Sequence, residues 1–559
     1  MRRKFYSFAT VSALLALMFL RSQVALADAA TAPAGRAYQT LVRSLLANAQ
    51  QMVREPGLTW YAADVAAALA EVGEVDAAEA VFGLVPLTDR FGNVRLRQLA
   101  TGYARNGDPA RTRQTISRIR DAEKGYADQR RLAWLHAGQA FAAAKRTDAA
   151  REALLEAAAA EGDDERAYAR GMFLAEVAEA QRGNGDVAEA AATFARAVRV
   201  AAADQDVSLR HIGLKEIAVR QAKIGLLDDA LDTASHIDVR QDREHAWRMI
   251  AESLAASGQM DDARQLLEKI DRPWTAMATA VALSDAYVRA GRLPDATKML
   301  DRAEAALQRE PAANTAMAIR LAEAHATAGN RDAAAAWLRR AAGQTEATTK
   351  PAGGPGPFAV LKQIETAPGA SARQGGFRSI GQAQARLGLV EEARKSFEHA
   401  MRAAQGHQPG VWQYTVVWNV AKSQAEVGLP DDAIRTMDTL PEENQDWLVY
   451  VDIASSMARA GRLDEALQLV HARGGGAGGM WYVAEALLKA DDLNNALRVA
   501  LQGSGGSHFA LRKIAQRYAL AGDVGPVLDA LKDVTGNDKR MPLLIGLVDG
   551  LLERSRGGT

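Results

Sequence analysis

The sequence of 559 residues contains no cysteine, and only 6% of its residues are aromatic. The absence of cysteine excludes a disulfide-stapled scaffold, a cysteine-ligated zinc site and a cysteine nucleophile. Neither sign of charge dominates, because Lys plus Arg and Asp plus Glu number 68 each. A neutral chain is poorly equipped to bind the phosphates of a nucleic acid. What the chain does contain, 48% hydrophobic and 24% charged residues, predicts a folded protein.

The first 27 residues predict an export signal. Met1–Lys4 carries three positive charges, Phe5–Leu20 is mostly apolar, and Ala25–Ala27 offers the small-x-small site that a signal peptidase cleaves. The apolar run is shorter than the roughly 20 residues needed to cross a bilayer, so we expect cleavage after Ala27 and no stable membrane insertion. We expect a periplasmic protein, with secretion as the alternative. Cleavage would leave 64 basic against 68 acidic residues, a net charge of −4, which argues further against a nucleic-acid partner.

One short sequence pattern recurs through almost all of the remaining chain. It reads Ala-Gly-Arg-Leu-Asp-Glu-Ala at Ala460–Ala466, and Val427–Ala433 and Ser257–Ala263 are variants of it. Aligning the copies on the glycine gives thirteen of them, at intervals of 30 to 40 residues apart from one interval of 59. Such a period is typical of stacked helical hairpins. The thirteen positions, called turn slots below, are Gly73, Gly107, Lys145, Gly185, Gly225, Gly258, Gly291, Gly329, Gly388, Gly428, Gly461, Asp491 and Gly522.

The recurring residues predict how each hairpin packs. The turn slot, glycine in eleven copies, is expected to end the first helix in the left-handed conformation. An aspartate three residues later, present in seven copies, is expected to satisfy free amides at the start of the second helix and to meet its dipole. Five residues after the turn slot eleven copies have alanine, and seven residues before it all thirteen have Ala, Gly or Ser. Small side chains at both positions let the two helices of a hairpin approach closely.

A further alanine predicts the length of the second helix. Where the residue twelve positions after the turn slot is alanine, the next copy begins 38 or more residues later, and elsewhere the interval is mostly 30 to 34 residues. We therefore expect a longer second helix in these copies. The copy at Gly107 does not follow the rule, because it has Ile119 and an interval of 38. The alanines are Ala157, Ala197, Ala303, Ala341 and Ala400.

The pattern resembles the tetratricopeptide repeat. It has an aliphatic and then a small residue in the first helix, glycine at the turn, alanine in the second helix, and a bulky residue four positions after that alanine, such as Phe82 or Phe397. The resemblance covers Thr59 to Val534. It implies an all-α fold, an α-solenoid or superhelix of about 13 tetratricopeptide-like hairpins with a C-terminal capping helix. It also implies that the first helices line a concave groove that binds a protein or peptide partner.

The repeat predicts six segments along the chain. The 59-residue interval includes Pro351–Pro357, a Gly/Pro-rich stretch that cannot stay helical. The predicted segments are a signal peptide (1–27), a lead-in helix (28–56), repeats 1–8 (57–342), a Gly/Pro-rich loop or hinge (343–376), repeats 9–13 (377–536), and a C-terminal capping helix and tail (537–559).

The sequence offers little sign of catalysis. The nine histidines form no helical ligand pair. Gly474–Gly479 satisfies the Gly-x-Gly-x-x-Gly pattern, but it follows a predicted helix and not a strand, which favours a connecting loop over a dinucleotide site. Ser504–His508 lies where two hairpins join, which favours a flexible connection over a nucleophile cluster. We therefore predict no enzymatic activity, no cofactor and no metal site.

The resemblance implies a set of candidate binding residues. In that family the residue ten positions before the turn points into the groove, and the residue six positions before the turn lies on the same helix face. These two positions are called groove slots below; five of the thirteen residues at the first are basic, and five of the thirteen at the second are acidic. One interpretation is a set of ion pairs within the groove. The other is that Arg378, Arg386 and Lys422, beside Trp418, form a basic patch for an acidic partner or a terminal carboxylate. The candidates are Arg97, Lys215, Arg248, Glu252, Asp285, Glu323, Arg378, Arg386, Trp418, Lys422, Trp481 and Arg512.

Two functions are compatible with these features. The first is a non-catalytic periplasmic scaffold or adaptor whose groove binds a protein or peptide. The alternative is a helical component of envelope polysaccharide or cell-wall synthesis or export machinery that contacts glycan through tryptophan. An RNA reader of the pentatricopeptide type is disfavoured by the export signal, the charge of −4 and the irregular spacing. The sequence leaves the oligomeric state open.

Overall fold

The computed structural model of the protein describes residues 34–55, 57–87, 91–120, 128–160, 166–309, 315–347, 370–404, 411–504 and 507–557. The predicted signal peptide (1–27) lies outside these ranges, as do residues 348–369 of the predicted Gly/Pro-rich loop.

All regular structure in the described ranges is helical, which confirms the all-α, helical-repeat class. Helix α1 comes first, α28 comes last, and between them each turn slot separates the two helices of one hairpin. Short 3-10 turns lie at Thr59–Tyr61, Glu442–Asn444 and Gly476–Gly478. The helices are α1 Ala34–Met52, α2 Ala62–Glu71, α3 Val75–Phe82, α4 Gly92–Asn106, α5 Pro109–Ser117, α6 Asp128–Ala143, α7 Thr147–Ala159, α8 Ala167–Gly183, α9 Val187–Ala202, α10 Val207–Lys223, α11 Leu227–Ser235, α12 Arg240–Ala256, α13 Met260–Leu267, α14 Pro273–Arg289, α15 Leu293–Gln308, α16 Thr315–Thr327, α17 Arg331–Ala347, α18 Ala370–Arg386, α19 Val390–Ala404, α20 Val411–Glu426, α21 Pro430–Met437, α22 Trp447–Arg459, α23 Leu463–Arg473, α24 Met480–Lys489, α25 Leu493–Gln502, α26 Ser507–Ala521, α27 Gly525–Asp533 and α28 Asn537–Gly557.

All thirteen turn slots have a left-handed backbone, as predicted. The angle φ is 72° to 93° at the eleven glycines, 57° at Lys145 and 63° at Asp491. These two are the only non-glycine residues with positive φ in the described ranges. At Gly107, the Gly107 amide donates to the Ala104 carbonyl at 2.9 Å and the Asp108 amide to the Tyr103 carbonyl at 3.0 Å. These are the hydrogen bonds of a left-handed helix end, so the slot fixes where the first helix stops.

Lys145→Gly is expected to stabilise the third hairpin. A left-handed backbone costs a residue with a Cβ about 1–2 kcal/mol, while glycine adds about 0.5–1 kcal/mol of unfolded-chain entropy, so we expect a net gain of about 0.5–1 kcal/mol. Urea denaturation of the full chain would measure the gain in the free energy of unfolding, and hydrogen exchange of α6 and α7 would locate it. Lys145→Ala is the matched control, because it removes the exposed side chain but keeps the Cβ. An equal gain in the alanine variant would show that the backbone is not the cause.

The small residues pack as the sequence predicts. Five residues after the turn slot, every described side chain is at most 1% exposed, including Thr112 and Val527, which replace alanine. Seven residues before it, the two glycines show what the small residue makes room for. A Cβ on Gly138 would lie 2.6 Å from Leu154 Cδ2, and one on Gly381 would lie 3.0 Å from Phe397 Cε1. The first helix therefore rests directly on the bulky residue of the second helix in the same hairpin.

The length of the second helix follows the alanine rule. The second helices with alanine twelve residues after the turn slot span 13 to 17 residues, and the others span 8 to 11. The five alanines are fully buried, so each lets the added turns pack closely. The copy at Gly107 obeys the rule after all, because α5 has only nine residues. The next described helix, α6, begins at Asp128.

The aspartates after the turn slot follow the prediction for the helix dipole. They lie in the first turn of the second helix, where their charge meets the helix dipole, but at α3 and α13 no side chain caps the helix at the preceding residue. Asp148 instead lies 3.3 Å from the Arg151 guanidinium, and Asp431 lies 2.9 Å from that of Arg462. Their contribution is therefore electrostatic.

The described residues fall into two compact units. The first contains the described parts of 1–166, 173–197 and 487–559, so hairpins from both ends of the sequence belong to it. The second contains 167–172 and the described parts of 198–486, a range that includes the predicted loop or hinge at 343–376.

The C-terminal helix α28 packs against two partners in the first unit. It lies along α26, the first helix of the last hairpin, and against α1, the helix that precedes the first hairpin. Asn537 Nδ2, at the start of α28, donates to Glu55 Oε2 at 2.7 Å. The sequence predicts a helix that caps the last repeat, and the structure adds that this helix also joins the last hairpin to the first ones.

Candidate functional site

A cavity of about 540 Å³ lies in the first unit. Its walls come from α2, α4, α6 and α26, which are the first helices of hairpins 1, 2, 3 and 13, and from α28. Nine of its fifteen lining residues are Asp, Glu, Arg or His. The lining residues are Asp64, Ala67, Ala68, Glu71, Arg97, Gln98, Thr101, Arg105, His136, Arg512, Gln516, Asp549, Leu552, Glu553 and Arg556.

Helices α2, α4 and α28 each present a stripe of polar residues to the cavity. On α4 the stripe is Arg97, Thr101 and Arg105, spaced four residues apart, so these residues lie on one helix face. Arg97 and Thr101 are the two groove slots of the second hairpin. Helix α4 sits very close to α2, because a Cβ on Gly102 would lie 2.3 Å from the Ala67 carbonyl oxygen. This close contact brings the stripes of the two helices together.

Arg512 ties three helices together at one end of the cavity. Its Nη1 and Nη2 donate to the two carboxylate oxygens of Asp64, each at 3.2 Å, and its Nε donates to Asp549 Oδ2 at 3.0 Å. Burial lowers the pKa of Arg512, but the Asp549 and Asp64 carboxylates outweigh that effect and raise it overall. Burial raises the pKa of Asp549, and the Arg512 guanidinium offsets part of the rise. One guanidinium thus serves two carboxylates.

At the other end of α2 the ratio is reversed, because the single carboxylate of Glu71 is shared by two arginines. Its side chain is 8% exposed, and its two oxygens face Arg105 Nη1 at 3.3 Å and Arg556 Nε at 3.0 Å. Glu553 accepts a hydrogen bond from Gln516 Nε2 at 2.8 Å. These contacts hold the cavity walls in place through paired charges.

Arg97 differs from the other arginines of the cavity. Within the described part of the chain, its guanidinium has no ion pair and no hydrogen bond, and burial lowers the pKa of Arg97. The pKa of His136, on α6, is lowered by burial first and then by the charges of Arg97 and Arg105. The wall formed by α4 and α6 therefore contains one guanidinium, that of Arg97, with no counter-charge among the described residues.

The predicted groove residues Lys215, Arg248 and Glu252 lie in the second unit. Arg248 Nη1 donates to Glu252 Oε1, and Arg248 Nη2 lies 2.7 Å from His245 Nε2. Burial, then Arg248 and Lys215, lower the pKa of His245. These contacts match the interpretation of ion pairs within the groove.

Asp285 and Glu323 are also surrounded by arginines. Burial raises the pKa of Asp285, and the charges of Arg289 and Arg320 offset part of the rise. Glu323 Oε1 accepts a hydrogen bond from Arg386 Nη1 at 2.8 Å. Arg386, one of the three cations of the predicted basic patch, is therefore engaged by a carboxylate of the chain.

The other two cations of that patch have partners as well. Arg378 Nη1 donates to Ser423 Oγ at 3.2 Å, and Lys422 Nζ lies 3.4 Å from Asp452 Oδ2. An acidic partner would have to compete with Asp452 for Lys422. The patch remains a prediction.

The two predicted tryptophans have different surroundings. Trp418 Nε1 donates to the Asn444 carbonyl at 3.0 Å, which fixes its ring. The Trp481 ring lies 4.4 Å from that of Tyr482, and the Tyr482 ring lies 6.4 Å from that of Trp447. Trp447, which is 42% exposed, was not predicted from the sequence. Trp481 thus belongs to an aromatic cluster with an exposed edge.

The structure brings two of the twelve predicted residues, Arg97 and Arg512, into one cavity. It also adds residues that the repeat pattern missed, namely Asp64, Glu71, His136, Asp549 and Arg556. Asp64 and His136 each lie one position after a groove slot, so an assignment based strictly on the groove slots misses them. The residues of α28 lie outside the repeat, although Asp549, Glu553 and Arg556 do share the spacing of one helix face.

No group of three or more His, Asp or Glu residues suited to a metal ion occurs among the described residues. No helix in the described ranges combines the length and apolar character needed to cross a bilayer.

Comparisons with known proteins find similarity at the level of structure alone. No protein-family model matches the chain, and a search of curated proteins finds no significant match. Ton1535 from Thermococcus onnurineus NA1 matches at 14% identity over 60% of this chain and 98% of its own, with a TM-score of 0.27. The pentatricopeptide repeat protein PPR10 from maize matches at 14% identity over 92% of this chain and 79% of its own, with a TM-score of 0.25. Yeast Tom70 matches at 12% identity over 86% of this chain and 96% of its own, with a TM-score of 0.26. The fold assignment rests on the helical hairpins described above.

Proposed function

We propose that the protein is a non-catalytic adaptor that binds a protein or peptide partner through the first helices of its hairpins. One observation carries the proposal: Arg97 and Arg512, assigned to groove slots in two distant copies, line the same cavity. A cavity of about 540 Å³ falls within the range of roughly 300–1,000 Å³ that is typical of ligand sites. Polar side chains held by ion pairs, with one cation left over, suit recognition of a charged partner.

Photo-cross-linking in cells tests this proposal. A photoreactive amino acid at Gln98, on the first helix α4, or at Lys422, on the first helix α20, should give adducts of discrete mass with a partner. The matched control is Gln114, which is exposed on the second helix α5. Equal adducts at Gln114, or adducts at none of the three positions, would contradict binding through the first helices.

The basic patch makes the same experiment more specific. If the partner that contacts α20 is acidic, Arg378→Glu combined with Lys422→Glu should abolish its capture by a cross-linker at Gln382. Gln382 lies in the first helix α18, six residues before the turn slot Gly388, and its Nε2 donates to Glu426 Oε2 at 2.8 Å. Unchanged capture would exclude the patch as a binding site and leave the ion-pair interpretation.

The proposal includes export to the periplasm. It is supported by the charged, apolar and small-residue segments of 1–27. Fractionation of cells and N-terminal sequencing of the protein should find it in the periplasmic fraction with Asp28 as its first residue. Recovery with Met1 intact from the cytoplasm would refute this part.

The aromatic cluster of Trp447, Trp481 and Tyr482 supports a second candidate, the contact with envelope glycan. Its exposed Trp447 edge is the kind of surface on which a sugar ring stacks. Calorimetry with soluble cell-wall and capsule fragments should show binding that Trp447→Ala removes and Trp274→Ala, an equally exposed tryptophan at 46%, leaves unchanged. Binding lost equally in both variants would speak against the cluster.

A further inference from the structure

The charges of the cavity balance at one end. Arg556 lies among Glu71, Arg105, Glu553 and Asp549, and its charge interacts with each of them. Two arginines and two glutamates, with Glu71 bridging Arg105 and Arg556, leave no net charge around the C-terminal end of α2. No charge from a ligand is needed to balance this end of the cavity.

The charges do not balance around Asp64, at the other end of α2. Asp64 and Asp549 are both bound by the single guanidinium of Arg512. The three groups together carry one negative charge. Burial raises the pKa of Asp549, and the Asp64 carboxylate adds to the rise. A cationic group entering the cavity would find two carboxylates that share one partner.

Arg97 supplies the missing positive charge without pairing with these carboxylates. In the described ranges, no ion pair links Arg97 to Asp64 or to Asp549, although all three residues line the cavity. The charges that act on His136, which also lines the cavity, are those of Arg97 and Arg105. The cavity therefore holds one unmatched cation and one unmatched negative charge that do not satisfy each other.

We propose that this cavity binds a short zwitterionic peptide of two or three residues. Its terminal carboxylate would take a bidentate position on Arg97, a geometry that guanidinium favours, and its terminal ammonium would sit by Asp64 and Asp549. A sphere with the cavity's volume of about 540 Å³ would be roughly 10 Å across. Because an extended chain spans about 3.3–3.6 Å per residue, two or three residues match that length. Thr101, Gln98 and Gln516 line the same cavity and offer hydrogen bonds to the peptide groups.

Calorimetry on the full chain with tri-alanine as the probe tests this inference. Tri-alanine should bind, while N-acetyl tri-alanine and tri-alanine amide should each bind about 10- to 100-fold more weakly, because each lacks one charge-assisted contact. Arg97→Gln should bring the acid and the amide to the same affinity. Arg95→Gln is the matched control, since Arg95 lies on another face of α4 and does not line the cavity.

This inference rests on the proposed function in one respect, because it takes the first helices as the binding face. The two can still be tested separately. Equal binding of the free and blocked peptides, unchanged selectivity in Arg97→Gln, or no binding of any peptide would overturn the zwitterion site. Binding of free alanine without binding of tri-alanine would overturn the proposed peptide length. None of these results would affect the cross-links from Gln98 and Lys422, whose absence would instead overturn the adaptor.

Discussion

Gly546→Ala is expected to weaken the packing of α28 in the first unit by about 1–2 kcal/mol. A Cβ at this position would lie 2.2 Å from the Arg512 carbonyl oxygen and 2.8 Å from Ala515 Cβ. A backbone oxygen cannot turn away as a side chain can, so α28 itself must move. Overpacking of this kind typically costs about 1–3 kcal/mol, against which alanine gains about 1 kcal/mol of helix propensity over glycine. We expect the steric cost to dominate, because the contact is shorter than any real Cβ makes.

Gly550 makes the same contact one turn later. A Cβ there would lie 2.4 Å from the Gln516 carbonyl oxygen. Gly546 and Gly550 therefore form one flat surface on which α26 rests. The double variant is expected to lose more than either single variant but less than the sum of the two, because one displacement of α28 relieves part of both clashes. Because α28 also packs on α1, the loss should reach the N-terminal helix.

Hydrogen exchange measured by peptide is the appropriate readout. Amides of α28, α26 and α1 should exchange faster in the variants, while those of the second unit serve as the internal control. Gly343→Ala is the matched substitution, because Gly343 lies inside α17 with no atom within 4 Å of a Cβ. The Gly343→Ala variant should be stabilised by about 0.5–1 kcal/mol, because alanine has a higher helix propensity than glycine. Unchanged protection of α28 in the double variant would show that the helices do not meet through these glycines.

The hairpins were predictable because their determinants are local. Lys145 shows this best: nothing in its chemistry suggests positive φ, yet its place in the turn slot does, and φ there is 57°. Ala157 and Ala341 predict long second helices for the same reason, since the residue that permits the packing lies in the helix that is lengthened. Each determinant acts within one repeat, where the sequence spacing fixes the spatial relation.

The cavity could be predicted only in part, because it depends on contacts between distant segments. Arg97 and Arg512 were assigned to the groove, but their common site requires α28 to lie between α26 and α1. The available signal was Gly546 and Gly550, two glycines four residues apart on one helix face, which indicate a close helix approach. Their partner helix is not encoded in the spacing. Asp549, between them in sequence, could not be assigned a role without it.

Arg512→Met is expected to destabilise the first unit by about 2–3 kcal/mol. The substitution leaves Asp64 and Asp549 facing each other without the guanidinium that holds them at 3.2 Å and 3.0 Å. Removing one partner of a buried ion pair costs about 3–5 kcal/mol, and we expect less because the Arg512 side chain keeps 33% of its exposure. Methionine preserves most of the volume, so the loss reports the charge. Hydrogen exchange of α2, α26 and α28 would measure it.

The pH dependence of this loss distinguishes charge from packing. Burial already raises the pKa of Asp549 in the native protein, and removing Arg512 takes away the group that offsets the rise. A carboxyl group with a raised native pKa favours the folded state below its unfolded pKa, and that advantage is lost as the pH rises through the native pKa. The destabilisation of Arg512→Met should therefore be largest near pH 7 and should shrink as the pH falls towards 4. Combining Arg512→Met with Asp64→Asn and Asp549→Asn should recover much of the stability at pH 7 and remove the pH dependence. A loss that stays constant from pH 7 to pH 4, and that the asparagines do not relieve, would mean that Arg512 contributes packing and that the two carboxylates do not need its charge.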